Sequence, residues 1–282
     1  MKKHKGDVSG MKKMVGLIAL LFIISNWLIL VYMIGGWAAA YAWNLEVFII
    51  APIAAIASLV ELVILILRIC RKKKVLWNGL FLILTLVMAF PLGIILGISP
   101  MTYPTYTYRE QAVQVTAPVK SAEYVGGAKH TPHAIWPSEC FAYDIVKKPS
   151  DIGSIVLSDY GIWEEEVFAP VSGTVIGVET QEPDIIPNTQ EYTSALGNYV
   201  FIEMDGEKGY MILAHFKKDS IEVEVGEKIT EGQFIGLVGN SGTTSEPHLH
   251  FQCQKENPFD MIIPTCATGI PIQIKGIEQN MP

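Results

Sequence analysis

The sequence predicts a membrane-anchored chain in two unlike parts: three N-terminal transmembrane α-helices, then an all-β domain of the antiparallel sandwich or barrel-like kind. Three observations carry that expectation. Residues 1–100 are nearly all apolar between two basic clusters, whereas short alternating runs broken by Gly and Pro fill the rest. Charge divides the same way. Of 21 Lys/Arg and 28 Asp/Glu in the 282 residues, ten and three lie in 1–100 (+7), leaving 11 and 25 (−14) for 101–282. About 180 residues are enough to bury one core.

Residues 1–13 form a basic tail, and 14–99 hold the three spans. The apolar runs Met14–Gly35, Val47–Leu67 and Val75–Ile98 each reach the roughly 20 residues that cross a bilayer. Ala40-Tyr41-Ala42 resembles a small-residue cleavage site, but the first run is longer than a signal core and is read as a span. Lysines 2, 3, 5, 12 and 13, and the cluster Arg68 with Arg71-Lys72-Lys73-Lys74, flank the first run and the second-to-third loop. The first-to-second loop has no Lys or Arg and carries Trp37, Tyr41 and Trp43. Cationic loops stay in the cytoplasm and aromatics collect at the interface, so the N-terminus is cytoplasmic and everything past residue 100 lies outside. Glu61, inside the second run, is expected to find water or a partner near the cytoplasmic end, with Arg68 two turns away.

Residues 100–109 (PMTYPTYTY and Arg109) form a stem, and 110–282 the outer domain. AVQVTAPV, EVFAPVSGTVIGV, NYVFIEM, GYMILAHF, SIEVEV, QFIGLVG and PHLHFQC read as strands, with Gly173, Gly197, Gly209, Gly226 and Gly239 at or beside turns. No long amphipathic helix follows residue 100. The polar stretch 179–196 reads as a surface loop. Cys140, Cys253 and Cys266 fall in the outer domain and show no Cys-x-x-Cys spacing, so they are poor metal candidates.

The chemistry gathers on Pro247-His248-Leu249-His250-Phe251. On a strand, His248, His250 and Gln252 share one face, with the imidazoles roughly 6.5 Å apart, while Leu249, Phe251 and Cys253 face a core. A lone His-x-His pair is a weak signal. Five of the six histidines, however, lie in the outer domain: His130, His133, His215, His248 and His250. Asp144 adds a carboxylate inside an apolar run, where it needs a hydrogen-bonding partner or a metal. A single such histidine is most often a core or surface residue, and His130 fits that description.

From about 110 to 275 the chain resembles the lysostaphin/LytM-type zinc metalloendopeptidases, which cut peptide bonds in bacterial peptidoglycan. The resemblance rests on EVFAPVSGTV, GNYVFIEM, ILAHF, VEVGEKITEGQFIGLVGNSG and EPHLHF in that order. It implies an all-β metallopeptidase domain of duplicated hybrid motif and a Zn2+ held by His133, Asp144 and His250, with His215 and His248 as unligated catalytic imidazoles. Two neutral imidazoles and one carboxylate around Zn2+ leave a net positive charge that favours water as nucleophile. His248 is then the general base and His215 an oxyanion or leaving-group partner, although the two roles are not ranked by sequence.

One departure concerns the first ligand. The commonest pattern has a histidine four residues before the aspartate, where this chain has Cys140. It resembles instead a branch with an earlier histidine: Gly126-Gly127, Lys129 and His133 precede ECFAYDI. His130 and Cys140 are the alternatives. The implied function is a multi-pass enzyme of the bacterial cytoplasmic membrane acting on peptidoglycan stem peptides or cross-bridges. The other class is a catalytically inactive wall-binding or hydrolase-regulating module. The outer domain's −14 disfavours nucleic acid and leaves retention at the wall to the bilayer anchor.

Overall fold

The computed structural model describes residues 3–98, 102–104, 111–126, 132–206 and 209–277. His130, Lys129, Gly127 and most of the 100–109 stem lie outside them. The chain divides into Met1–Tyr108 and Arg109–Pro282, each with its own contacts.

In the first unit, α1 (Lys3–Ile29) runs into a π-helical turn, Leu30–Ile34, and stops at Gly35, whose φ of 74° only glycine adopts readily. Next come α2 (Gly36–Leu45), a second π-helical turn (Glu46–Ile50) and α3 (Ala51–Cys70), then α4 (Leu76–Ala89) and α5 (Leu92–Ile95). Among the described residues, two helical stretches are long and apolar enough to cross a membrane, Gly10–Ile34 and Gly36–Cys70. The expected third span is corrected: Val75–Ile98 is not one helix but 14 residues of α4, a break at Phe90-Pro91, and the single turn of α5. Proline supplies no N–H to the helix ladder, and its ring displaces the preceding turn.

The aromatic-rich loop expected between spans one and two is helical as well. Trp43 is fully buried there, its ring stacked on Trp27 with centroids 6.4 Å apart, while Trp27 Nε1 donates to the Ala42 carbonyl. Glu61 has a partner, though not Arg68: Asn78 Nδ2 on α4 donates to its Oε2 at 3.0 Å. Arg68 instead closes the basic turn by donating to the Lys74 carbonyl.

The second unit is β-built. Its strands are β1 (Val113–Val115), β2 (Glu123–Gly126), β3 (Tyr143–Val146), β4 (Glu166–Phe168), β5 (Gly173–Glu179), β6 (Asn198–Met204), β7 (Tyr210–Phe216), β8 (Lys228–Ile229), β9 (Phe234–Leu237), β10 (Leu249–Gln254) and β11 (Ile272–Ile274). Seven of them form one antiparallel sheet in the order β2-β3-β10-β7-β6-β5-β8. β4 and β9 make an antiparallel ribbon, and β1 pairs parallel with β11. Val167 and Ile235 of the ribbon share one core with Leu213, Leu249 and Phe251 of the sheet. The outcome is a large sheet with two ribbons, whose β2 and β8 edges do not pair with each other among the described residues.

SIEVEV, read as a strand from its alternation, is extended but outside the ladders. Glu222 N donates to the Ile235 carbonyl, and no named strand forms there. After residue 100 the described helical pieces are short 3-10 turns only, as expected. The 179–196 loop does lie between β5 and β6, but it is pinned rather than loose. Its Ile185 is buried, Asp184 bridges to Ser241, and the buried Glu182 carboxylate accepts from both Thr193 N and Thr193 Oγ1.

Candidate metal and catalytic site

β10 behaves as its period-2 pattern requires. Leu249, Phe251 and Cys253 enter the core, which leaves His250 and Gln252 on the other face. Antiparallel pairing then sets Asp144 of β3 directly opposite His250, so two residues 106 positions apart share that face. No local pattern contains that juxtaposition; it follows from strand order alone.

His133 arrives from a 3-10 turn, Pro132–Ile135, rather than from a strand. Its Nε2 lies 3.1 and 2.9 Å from the two Asp144 carboxylate oxygens, and His250 Nδ1 lies 3.2 Å from Oδ1. One donor atom from each of His133, Asp144 and His250 falls within 4.8 Å of the other two. Cys140 is buried and stands outside this group.

His215 reaches the site by a different device. On a regular strand it would point with Leu213 into the core. β7 instead carries a bulge: Phe216 pairs with Asn198 and Ala214 with Tyr199, so His215 is the extra residue, at φ 68°. A bulge of this kind re-aims a side chain, and the left-handed conformation costs a non-glycine residue on the order of 1–3 kcal/mol. The redirected ring stands 4.6 Å from His248 and 6.0 Å from His250, centroid to centroid.

The hydrogen bonds assign tautomers, because carbonyl oxygens only accept. His215 Nδ1–H donates to the Ser241 carbonyl at 2.7 Å, and His248 Nδ1–H to that of Glu246 at 2.8 Å. Both rings therefore keep Nε2 for the cleft, and His248 Nε2 is 3.6 Å from Asp144 Oδ1. His250 runs the other way. Its Nε2–H donates to Gln252 Oε1 at 2.7 Å, which leaves Nδ1 facing Asp144. Gln252 Nε2 donates in turn to Gln254 Oε1, and Gln254 Nε2 to the Glu256 carbonyl, a buried chain that locks the ring.

Electrostatics follow the geometry. Burial opposes a charge on Asp144, but the nearby His248 and hydrogen bonds from His133 and His250 hold its carboxyl well below the usual carboxylate range. Burial likewise opposes protonation of His133, and the carboxylates of Asp144 and Glu139 outweigh it, pushing this imidazole up to about 10. Burial, with His248 and His250 beside it, holds His215 well below the usual imidazole range.

All five residues singled out by the sequence thus meet in one place. Four of them, His133, Asp144, His215 and His248, line a cleft of about 370 Å³ whose rim includes Asn188, Tyr192 and Thr243. Sequence reading missed Glu139, whose Oε2 lies 2.7 Å from His133 Nδ1, and the anchoring carbonyls of Ser241 and Glu246. Gln252 carried a signal through its place on the histidine face of β10, and Glu139 only as the first residue of the ECFAYDI run.

The donor set fits a Zn2+ ion. Two imidazole nitrogens and a carboxylate converge, and the remaining N–H of each ring is tied to an oxygen, as histidine ligands of zinc usually are.

Residues 159–261 match the model of Peptidase family M23. That stretch contains His215, His248 and His250 and begins after His133 and Asp144. Over 85 residues, 30% of this chain, the sequence is 38% identical to the peptidoglycan DD-endopeptidase ShyA of Vibrio cholerae, covering 18% of that protein. It is 28% identical over 108 residues, 37% of this chain, to an uncharacterized metalloprotease of Haemophilus influenzae, covering 20% of it. The chain therefore spans about a fifth of the length of these relatives. Among solved structures, a zinc containing peptidase from Vibrio cholerae overlays with a TM-score of 0.33 at 20% identity, covering 61% of this chain and 41% of that one. The lysostaphin catalytic domain from Staphylococcus simulans overlays at 0.30 and 19%, covering 45% and 73%.

Proposed function

We propose that this chain, whose residues 159–261 match the model of Peptidase family M23, is a membrane-anchored zinc metalloendopeptidase that hydrolyses peptide bonds in peptidoglycan. The observation that carries the reading is the convergence of His133, Asp144 and His250 beside two further imidazoles that keep Nε2 for the same cleft. His133 Nε2, an Asp144 oxygen and His250 Nδ1 would hold the ion. When bound, Zn2+ supplies Lewis-acid polarisation of the scissile carbonyl and acidifies a water.

The protein's own groups handle the proton. His248 takes it from the attacking water at Nε2 as the water oxygen bonds to the carbonyl carbon. The same nitrogen returns it to the amine as the C–N bond breaks. Between the two imidazoles the proton is assigned to His248. Asp144 lies 3.6 Å from its Nε2, whereas burial disfavours charge on His215. Neutral His215, fixed by Ser241, orients the water through its Nε2 lone pair. The pinned 179–196 loop, with Asn188 and Tyr192 on the cleft, holds the substrate peptide.

The two long apolar helices support the anchor. Although 75–98 is not a single spanning helix, its broken apolar stretch would in this reading complete the passage from the basic turn, with the N-terminus in the cytoplasm and the β unit outside. Mass spectrometry of muropeptides after digestion with the full-length protein in detergent tests the activity. Wild type is expected to release cleaved peptides, and His248→Ala to keep its zinc while losing roughly 10²–10⁴ in turnover. Equal products from both proteins, or none from zinc-loaded wild type, would leave the non-catalytic wall-binding module standing instead.

A further inference from the structure

We propose that Glu139 is the positioning residue of the first metal ligand: its carboxylate, 2.7 Å from His133 Nδ1, presents His133 Nε2 to Asp144 and His250. This rests on the zinc reading above. Asp144 and His250 are held by ladder bonds on paired strands. His133 has no such frame, since it belongs to the four-residue turn Pro132–Ile135. An imidazole there must be aimed by something other than a sheet.

Glu139 comes from a firmer place. Ser138 N donates to the Thr265 carbonyl and Gly269 N to that of Pro137, so the backbone just before Glu139 is tied to 264–269. Ser138 and Cys140 on either side are buried. Between the two residues the chain winds tightly, with Trp136 N bonded to the His133 carbonyl, Glu139 N to that of Trp136 and Ala142 N to that of Glu139. The carboxylate thus reaches back six residues to a ring that its own backbone does not fix.

The chemistry gives this contact a consequence. A carboxylate only accepts, so it keeps the hydrogen on Nδ1 and reserves Nε2 as the metal-facing atom. An anionic partner also strengthens the imidazole as a donor, and loss of such partners weakens metal binding typically 10–100-fold. Apart from Asp144, which both rings face, His250 is served by a neutral amide, Gln252, whereas His133 has the carboxylate of Glu139. The segment also lies outside 159–261, upstream of the stretch shared with family M23.

The test is zinc affinity of the full-length protein in detergent, by competition with a chelating dye, together with the ligand-field spectrum of the Co2+-substituted form. Glu139→Gln is expected to bind zinc about tenfold more weakly than wild type, and Glu139→Ala up to about 100-fold more weakly. Both should shift the Co2+ bands, which a merely structural role would leave in place. Should Glu139→Ala fail to fold, the near-isosteric Glu139→Gln decides alone. Affinity of the folded Gln variant within about twofold of wild type, with an unmoved Co2+ spectrum, overturns the inference. Wild type that binds no zinc overturns the zinc reading itself, a separate result.

Discussion

At the scale of single residues, the proposed zinc site requires His133 to change state on loading. Without metal its two ring nitrogens face two carboxylates, Glu139 at 2.7 Å and Asp144 at 2.9 Å, and they push its pKa up to about 10. Near pH 7 the ring is therefore charged, yet a metal needs the Nε2 lone pair. Zinc uptake should expel that proton. The sign follows from the raised value: apparent affinity rises with pH while His133 is protonated and levels off above about 10. Calorimetry at pH 7 in buffers of different ionisation enthalpy should report about one proton released per zinc. Uptake with no proton release would show that His133 is already neutral in the metal-free protein. The residue's identity was legible in the sequence only through a family branch: Glu139 opens the ECFAYDI run of that branch, but nothing in the spacing tells that its carboxylate turns back to His133.

At the scale of elements, the bulge in β7 is where strand alternation stops describing the site. Ser241 holds it. Its Oγ accepts from Asn198 N at 2.9 Å and donates to the Phe216 carbonyl at 2.8 Å, while its own carbonyl receives His215 Nδ1–H. Ser241→Ala would leave the buried Asn198 N–H without this acceptor, a cost of about 1–3 kcal/mol. A domain of this size loses about 2–4 °C of melting temperature per kcal/mol. The expected outcome is a melt lower by several degrees and reduced turnover, with zinc affinity unchanged because no ligand is touched. An unchanged melt would show that Ser241 does not brace the bulge. β10 was readable from sequence because one strand's period carries the whole inference. Asp144 facing His250 was not, since it depends on β3 being the neighbour of β10. SIEVEV misled for the converse reason: alternation reports a face, and a ladder needs a partner as well.

For the whole molecule, the number of crossings decides on which side of the membrane the β unit works. α4 has 14 residues, about 21 Å of rise, against the roughly 30 Å of hydrocarbon it would have to cross. α5 resumes after Pro91 and extends the apolar stretch, and no acidic residue occurs between Glu61 and Glu110 to stop it inside the bilayer. In the proposed topology the five basic residues at 68–74 would keep the α3–α4 turn on the same side as the basic N-terminus. From that turn a third crossing would deliver the acidic β unit to the outside, the side on which the proposed substrate lies. A re-entrant α4 would return it to the cytoplasm and deprive the proposed enzyme of its substrate. Protease added to intact spheroplasts separates the two. With three crossings, the unit Arg109–Pro282 is digested while Cys70, at the cytoplasmic end of α3, stays closed to an impermeant maleimide until lysis. A β unit that survives protease until the cells are lysed would place it inside and refute the wall-facing assignment.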